Sequence, residues 1–212
     1  MRQFVFEDIT SEEVARRTGL YTPLTNSVRE LLDATIRTEV DPDTIRAAGE
    51  LIDRATAMLR STQSDGPHGV RYTADGTGMP WGNPAIGIRN AIAPPMVVTH
   101  EGDHRRVADV VLGAAYEGPP GLVHGGICAL LLDHILGEAA SAMTGTLTLR
   151  YQRATPLGAV HLEADVVATA GRKLTVRGSM SDSDGITVTA EGIFIVPRRV
   201  APTGPDDREG PR

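Results

Sequence analysis

The stretch Gly118-Pro119-Pro120-Gly121-Leu122-Val123-His124-Gly125-Gly126-Ile127-Cys128-Ala129-Leu130-Leu131-Leu132-Asp133-His134-Ile135-Leu136-Gly137 decides how this chain folds. From Gly125 to about residue 141 it is long enough for a helix and apolar nearly all round. The pattern therefore predicts a buried helix rather than a surface one. Asp133 is the exception, because a carboxylate inside such a run is costly unless it is paired or functional. One helical face reads Gly126, Ala129, Asp133, Gly137, Ala140, so small residues flank the acid and leave room for close approach. Two readings fit that stripe: a substrate site around the carboxylate, or a helix-packing groove in which Asp133 binds a nearby amide.

His124-Gly125-Gly126 stands where the helix begins. A helix N-terminus carries unpaired N–H groups and partial positive charge, and glycines let a ligand reach those amides. A carbonyl placed there would be polarised, and an oxyanion would gain ~2.7–4 kcal/mol per well-aimed donor. Taken alone, a His-Gly-Gly is a turn that starts a helix.

Downstream the period falls to two. Leu147, Leu149 and Tyr151 alternate with Thr146, Thr148 and Arg150, and Leu174 and Val176 alternate with Lys173, Thr175 and Arg177. Strands are expected near 145–153, 159–169, 172–181 and 186–196, with turns at Ala170-Gly171-Arg172 and 181–185. Upstream, 96–99 and 107–112 read as two more strands around a Gly-Asp-His turn. One long buried helix followed by four antiparallel strands predicts a sheet wrapped around a helix.

The first third reads as helices: a short one at 11–17, one with capping-box spacing from Ser27 to Glu30, and one started by Asp41-Pro42. The last presents Ile45, Ala48, Ile52, Ala55 and Leu59 on one face, and is expected to pack on the core and border a ligand tunnel. Residues 63–95, rich in Gly, Pro, Asn and Asp, read as a long loop with at most one short turn of structure. The division expected is a helical extension over 1–65, a main domain over 66–198 and a disordered polar tail over 199–212.

The 212 residues carry a formal net charge of -6 and no dense basic block, which argues against nucleic acid as the main partner. No run approaches the ~20 apolar residues of a membrane span, and the acidic N-terminus lacks the apolar run of a signal peptide. The single cysteine, Cys128, excludes an intramolecular disulfide and fits a cytoplasmic protein; in the apolar helix it reads as core. His68, His100, His104, His134 and His161 lack metal-ligand spacing, so no metal is expected. Neither a Gly-x-Ser-x-Gly elbow nor a phosphate loop occurs.

The order His124-Gly125-Gly126, an acid nine residues after the histidine, then Tyr151 and Pro156-Leu157-Gly158, resembles PaaI-like hotdog-fold thioesterases. Gly118-Pro119-Pro120-Gly121 and Gly171-Arg172-Lys173 look closest to the long-chain branch, thioesterase superfamily members four and five. The resemblance covers roughly residues 80 to 197. It implies an α+β hotdog fold, with an antiparallel sheet around a long central helix and the N-terminal helices as an extension. It implies an acyl-CoA thioesterase of fatty acid metabolism, with coenzyme A as part of the substrate and no cofactor. It also implies a homodimer, or a dimer of dimers, with active sites shared between subunits.

In the implied site, Asp133 acts as general base or as nucleophile and the Gly125 N–H polarises the thioester. His124 and Gly126 shape the pocket, Thr144 holds the water or the acid, and Arg172 and Lys173 meet the coenzyme A phosphates. Arg150 and Arg153 read as a solvated strand edge, and Thr144 alone is a strand-start threonine. Two departures stand out. Gly118 occupies a position where some relatives have asparagine, and the segment from Asp133 to Thr144 is shorter than in the long-chain branch. Two alternatives are a non-catalytic acyl-CoA sensor, disfavoured by the presence of Asp133, and a hydratase, whose Asp-x-Asn-Pro-x-His signature is missing.

Overall fold

A computed structural model describes residues 5–73 and 75–197. The tail expected to be disordered lies outside the described residues. In chain order the elements are β1 (Val5–Glu7), α1 (Ser11–Arg37), α2 (Pro42–Arg60), β2 (Arg71–Thr73), β3 (Gly78–Met79), β4 (Val97–Glu101), β5 (Arg105–Leu112), a 3-10 turn (Ala114–Tyr116), α3 (Gly125–Ala140), β6 (Met143–Tyr151), β7 (Gly158–Ala170), β8 (Lys173–Asp182) and β9 (Gly185–Ile195).

Six strands form one antiparallel sheet in the order β4-β5-β7-β8-β9-β6. Leu174 and Val176 on β8 are buried as the alternation predicts, and the inner face continues with Ala108, Val110 and Leu112 on β5, Val160, Leu162 and Ala164 on β7, and Val188, Ala190 and Phe194 on β9. The helix α3 packs into that face. Leu131, Leu132, Ile135 and Leu136 are each 0% exposed, and each contributes ~1.5–3 kcal/mol by leaving water. The close fit depends on Gly178 of β8, where an added Cβ would stand 2.5 Å from the Glu163 carbonyl oxygen and 2.6 Å from Leu136 Cδ1. The sheet around a buried helix is therefore as expected, and each strand falls within a few residues of its expected limits.

The N-terminal third departs from expectation. One continuous α1 replaces the two helices expected there, and it runs through Pro23. Its cap is Thr10, whose hydroxyl accepts from the Glu13 N–H at 3.2 Å. Ser27, expected as a cap, instead donates to the Pro23 carbonyl one turn back at 3.1 Å. By contrast Asp41 caps α2 as expected, accepting from the Asp43 and Thr44 N–H groups at 2.9 and 3.0 Å. The face of α2 does not pack on the core of this chain. None of its residues is buried, and Ile45 and Leu59 stay more than half exposed.

Residues 63–95 are more than loop. β2 and β3 join β1 in a three-stranded sheet, with β1 and β2 parallel. Strands of two or three residues leave no period to read, and β1, the parallel partner of β2, comes from a distant part of the chain. The rest of the segment is pinned. Asn83 Oδ1 accepts from the Ala85 and Ile86 N–H groups at 2.7 and 3.2 Å, and Arg29 of α1 donates to the carbonyls of Ala93 and Asn90 at 3.0 and 3.2 Å.

Gly178→Ala is expected to lower stability by about 1–3 kcal/mol, because the backbone carbonyl of Glu163 cannot move aside as a side chain would. A urea melt checks this, and an unchanged midpoint would show that the helix and sheet are not in close contact there.

Candidate functional site

The segment before α3 is a tight, hydrogen-bonded bend. Gly118 N–H donates to the Leu122 carbonyl at 2.9 Å, Val123 N–H to Thr155 at 2.9 Å and His124 N–H to Tyr116 at 2.9 Å. Gly118 leaves no room for a side chain, since an added Cβ would lie 2.8 Å from His124 Cα. Glycine at 118 therefore has a packing reason.

His124 is the N-cap of α3. Its Nδ1 accepts from the Gly126 N–H at 3.0 Å, which puts the ring proton of the neutral form on Nε2. The Gly125 carbonyl accepts from the Tyr151 hydroxyl at 2.8 Å. The Gly125 N–H has no acceptor among the described residues, as befits the first residue of a helix. This end of α3 therefore presents a free amide, with the helix dipole behind it.

Asp133 lies eight residues further along, ~12 Å away at 1.5 Å per residue. It is half-buried, and its Oδ1 accepts from the Thr144 hydroxyl at 2.8 Å. Two local features make that contact. Ser141 ends α3 in the left-handed conformation, φ 47°, and reverses the chain so that β6 runs back beside the helix. A bulge between Thr144 and Thr146 then breaks the register with β9, as bulges do where a side chain must be re-aimed. Asp133, His134, Gly137, Glu138 and Thr144 line an open groove of about 400 Å³.

The side chain of His134, the next residue on α3, lines the same groove. It is 14% exposed, and its Nε2 lies 3.7 Å from Glu138 Oε1 and makes no hydrogen bond among the described residues. Burial holds its pKa below the usual 6.5, so the ring stays neutral near pH 7. Burial also raises the Cys128 thiol, whose sulfur lies 3.8 Å from Thr155 Oγ1, in keeping with a core residue and not a nucleophile.

The β7–β8 hairpin carries Arg172 and Lys173, both exposed. Arg172 donates to the Val196 carbonyl at 3.0 Å, and Lys173 makes no salt bridge among the described residues. Register places them at the Asp133 end of the sheet: Thr144 pairs with Phe194, which pairs with Leu174, next to Lys173. Arg153 is tied to Asp182 and to the Gly185 carbonyl, and so closes the β8–β9 turn. Arg150 is exposed on β6.

The structure thus unites Asp133 with Thr144 beside the middle of α3, and His124 with Gly125 and Gly126 at its start. Nothing in the sequence pointed to His134 or Glu138, because only the depth of the groove beside the acid shows them.

A six-stranded antiparallel sheet closed over one buried helix, with an acid and a free helix amide on that helix, defines a hotdog-fold protein. No family model matches the chain. It is similar to acyl-coenzyme A thioesterase THEM4 of Bos taurus, 30% identical over 115 residues, which are 51% of this chain and 48% of that protein. The Xenopus laevis THEM4 is 35% identical over 104 residues, 45% of this chain and 47% of that protein. The chain spans about half the length of the curated relatives it matches. The crystal structure of a thioesterase superfamily protein superposes with a TM-score of 0.72 at 34% identity, covering 82% of this chain and 90% of that one. This chain belongs to the thioesterase superfamily.

The neutral His134 has a consequence for stability. Its folded pKa lies below its unfolded value, so the unfolded chain binds more protons near pH 6. The contribution is complete above about pH 6.5 and is lost as pH falls from there toward the folded value; the lowered pKa of His68 acts in the same direction. The melting temperature is expected to drop between about pH 7.5 and 5.5, and to drop less in His134→Gln. Identical slopes would show that His134 is not held neutral.

Proposed function

We propose that this chain hydrolyses acyl-coenzyme A thioesters in a site completed by a second copy of itself. The observation that carries the reading is the 2.8 Å hydrogen bond from Thr144 to Asp133 at the edge of an open groove. A carboxylate held this way keeps its other oxygen free for water or for a carbonyl carbon.

The ~12 Å between Gly125 and Asp133 along α3 is too far for both to act on one carbonyl. Two chains related by a two-fold axis, with their α3 helices side by side and opposed, would bring the Gly125 amide of one to the Asp133 of the other. The small residues Gly126, Ala129 and Gly137 on the uncovered face allow that approach. The partner is accordingly a homodimer, or a dimer of dimers built from it.

In such a site the Gly125 N–H polarises the thioester carbonyl, while the His124–Gly126 bond fixes the loop that aims it. Asp133 takes a proton from water as the oxygen attacks the carbonyl carbon. The C–S bond then breaks, and the proton passes to the departing thiolate. If Asp133 itself attacks, the C–S bond breaks, coenzyme A leaves as its thiolate and a mixed anhydride remains; water then opens the anhydride to the free acid, restores the Asp133 carboxylate and gives up a proton to the thiolate. Arg172 and Lys173 offer positive charge to the coenzyme A phosphates at the same end of the sheet.

Free thiol release from a panel of acyl-CoAs, short to long and aromatic, tests the proposal. Asp133→Asn should lower kcat/KM at least about a hundredfold, and Thr144→Val by about tenfold or more, as expected for a hydrogen bond to a charged group. Acyl-CoA binding without turnover of any panel member would overturn hydrolysis in favour of a sensor.

Gly125→Pro isolates the amide. Residue 125 is the first of the helix, its N–H has no acceptor among the described residues, and His124 has the extended ψ of 131° that proline requires before it. The variant should fold and yet lose activity. Mixing it with Asp133→Asn should restore part of the activity through hybrid dimers with one intact site, whereas no recovery in confirmed mixed dimers would mean that sites are not shared.

A further inference from the structure

Away from the groove, the N-terminal elements build a second cleft. Arg16, Arg17 and Tyr21 of α1, Arg71 of β2, His68 and Arg89 are among the residues lining a partly enclosed space of about 140 Å³, walled by Trp81. None of the elements that carry Asp133, Thr144 or His124 takes part in it.

Its charge is unbalanced. Glu7 pairs with Arg71 and, at 3.1 Å, with Arg17, while Glu13 pairs with Arg16 at 2.7 Å and Arg17 at 2.6 Å. Two carboxylates thus serve three guanidinium groups. The fourth, Arg89, makes no salt bridge among the described residues; it lies over the Tyr21 ring, 4.0 Å from its centroid, and 3.4 Å from His68 Nδ1.

His68 adds a neutral donor. Its ring stacks on Trp81 at 5.9 Å with an interplanar angle of 4°. If Nδ1 accepts from Arg89, then Nε2 carries the hydrogen, and that atom is buried without a hydrogen-bond partner among the described residues. Burial and the nearby Arg71 and Arg89 keep the imidazole neutral. The cleft therefore has more donors than acceptors and about two positive charges in excess, with room for several heavy atoms.

We propose that this cleft binds the phosphate monoester group of a ligand, with Arg89 and Arg71 as its chief charged partners and His68 as a neutral donor. A phosphate monoester carries about −1.5 to −2 at neutral pH, which matches the excess, and its oxygens suit the forked donors of arginine. A monocarboxylate would leave one charge uncompensated. The phosphate could belong to the 3′-phosphate of coenzyme A, which would rest on the hydrolase reading above, or to a separate phosphorylated small molecule.

Calorimetric titration of the full chain at constant ionic strength separates these sources. The titrants are inorganic phosphate, coenzyme A and dephospho-coenzyme A; the variants are Arg89→Gln, the exposed rim change Arg16→Gln, and Arg177→Gln on the main sheet as control. Saturable phosphate binding is expected, weakened about tenfold or more in Arg89→Gln, less in Arg16→Gln and not in Arg177→Gln. If coenzyme A outbinds dephospho-coenzyme A and loses that advantage in Arg89→Gln, the coenzyme's 3′-phosphate is the occupant. Equal binding of the two coenzymes, with Arg89-sensitive phosphate binding retained, assigns the cleft to a separate phosphorylated molecule. Phosphate and coenzyme A binding that ignores both Arg89 and Arg16 overturns the proposal and leaves the hydrolase reading standing. Failure of hydrolysis with Arg89-sensitive phosphate binding intact would do the reverse.

Discussion

Burial of one apolar helix against one sheet governs the rest of this structure. Leu131, Leu132, Ile135 and Leu136 are fully removed from water between α3 and the strands, and Gly178 lets the helix settle onto β8 without a side chain between them. Once that face is committed, the rotation of the helix is set. The side chains on its other face, Asp133, His134 and Glu138, line the groove.

The polar geometry follows from that rotation. Asp133 meets Thr144 only because the chain reverses at Ser141 and β6 bulges after Thr144. The free amide of Gly125 is a property of any helix start, but the hydrogen-bonded bend from Gly118 to His124 fixes where it stands. Placing an acid and a free amide on one straight helix keeps them ~12 Å apart. In the proposed reading, a symmetric pair of chains is what brings the two groups together.

The N-terminal elements follow different physics. α1 is fastened by Arg29 to the carbonyls of the segment before β4 and by the Arg17–Glu7 ion pair to β1, not by a large apolar face. Glu13 is held ionised, down to a pKa of about 2, by its hydrogen bonds to Arg16 and Arg17. α2 has the amphipathic pattern of a packing helix and no buried residue. A periodic apolar stripe shows that a helix has a face to bury; it does not say against what.

Strong periodicity made the main domain legible. The apolar run after Gly125 and the alternation in β6 and β8 are repeated local statements about burial, and each reinforces the next. The acid and the His-Gly-Gly could be named because a helical stripe and a helix start are local features, whereas Thr144 was named only through the family resemblance and by itself reads as a strand-start threonine. The sequence by itself therefore determined the wrapped helix and the candidate residues. Only tertiary structure decided that Asp133 bonds to Thr144, that His134 shares its groove, that β1, β2 and β3 pair, that α1 runs through Pro23, and that α2 stays uncovered in this chain. Each of these depends on which distant segment arrives beside a residue, and no local pattern of side chains encodes that meeting.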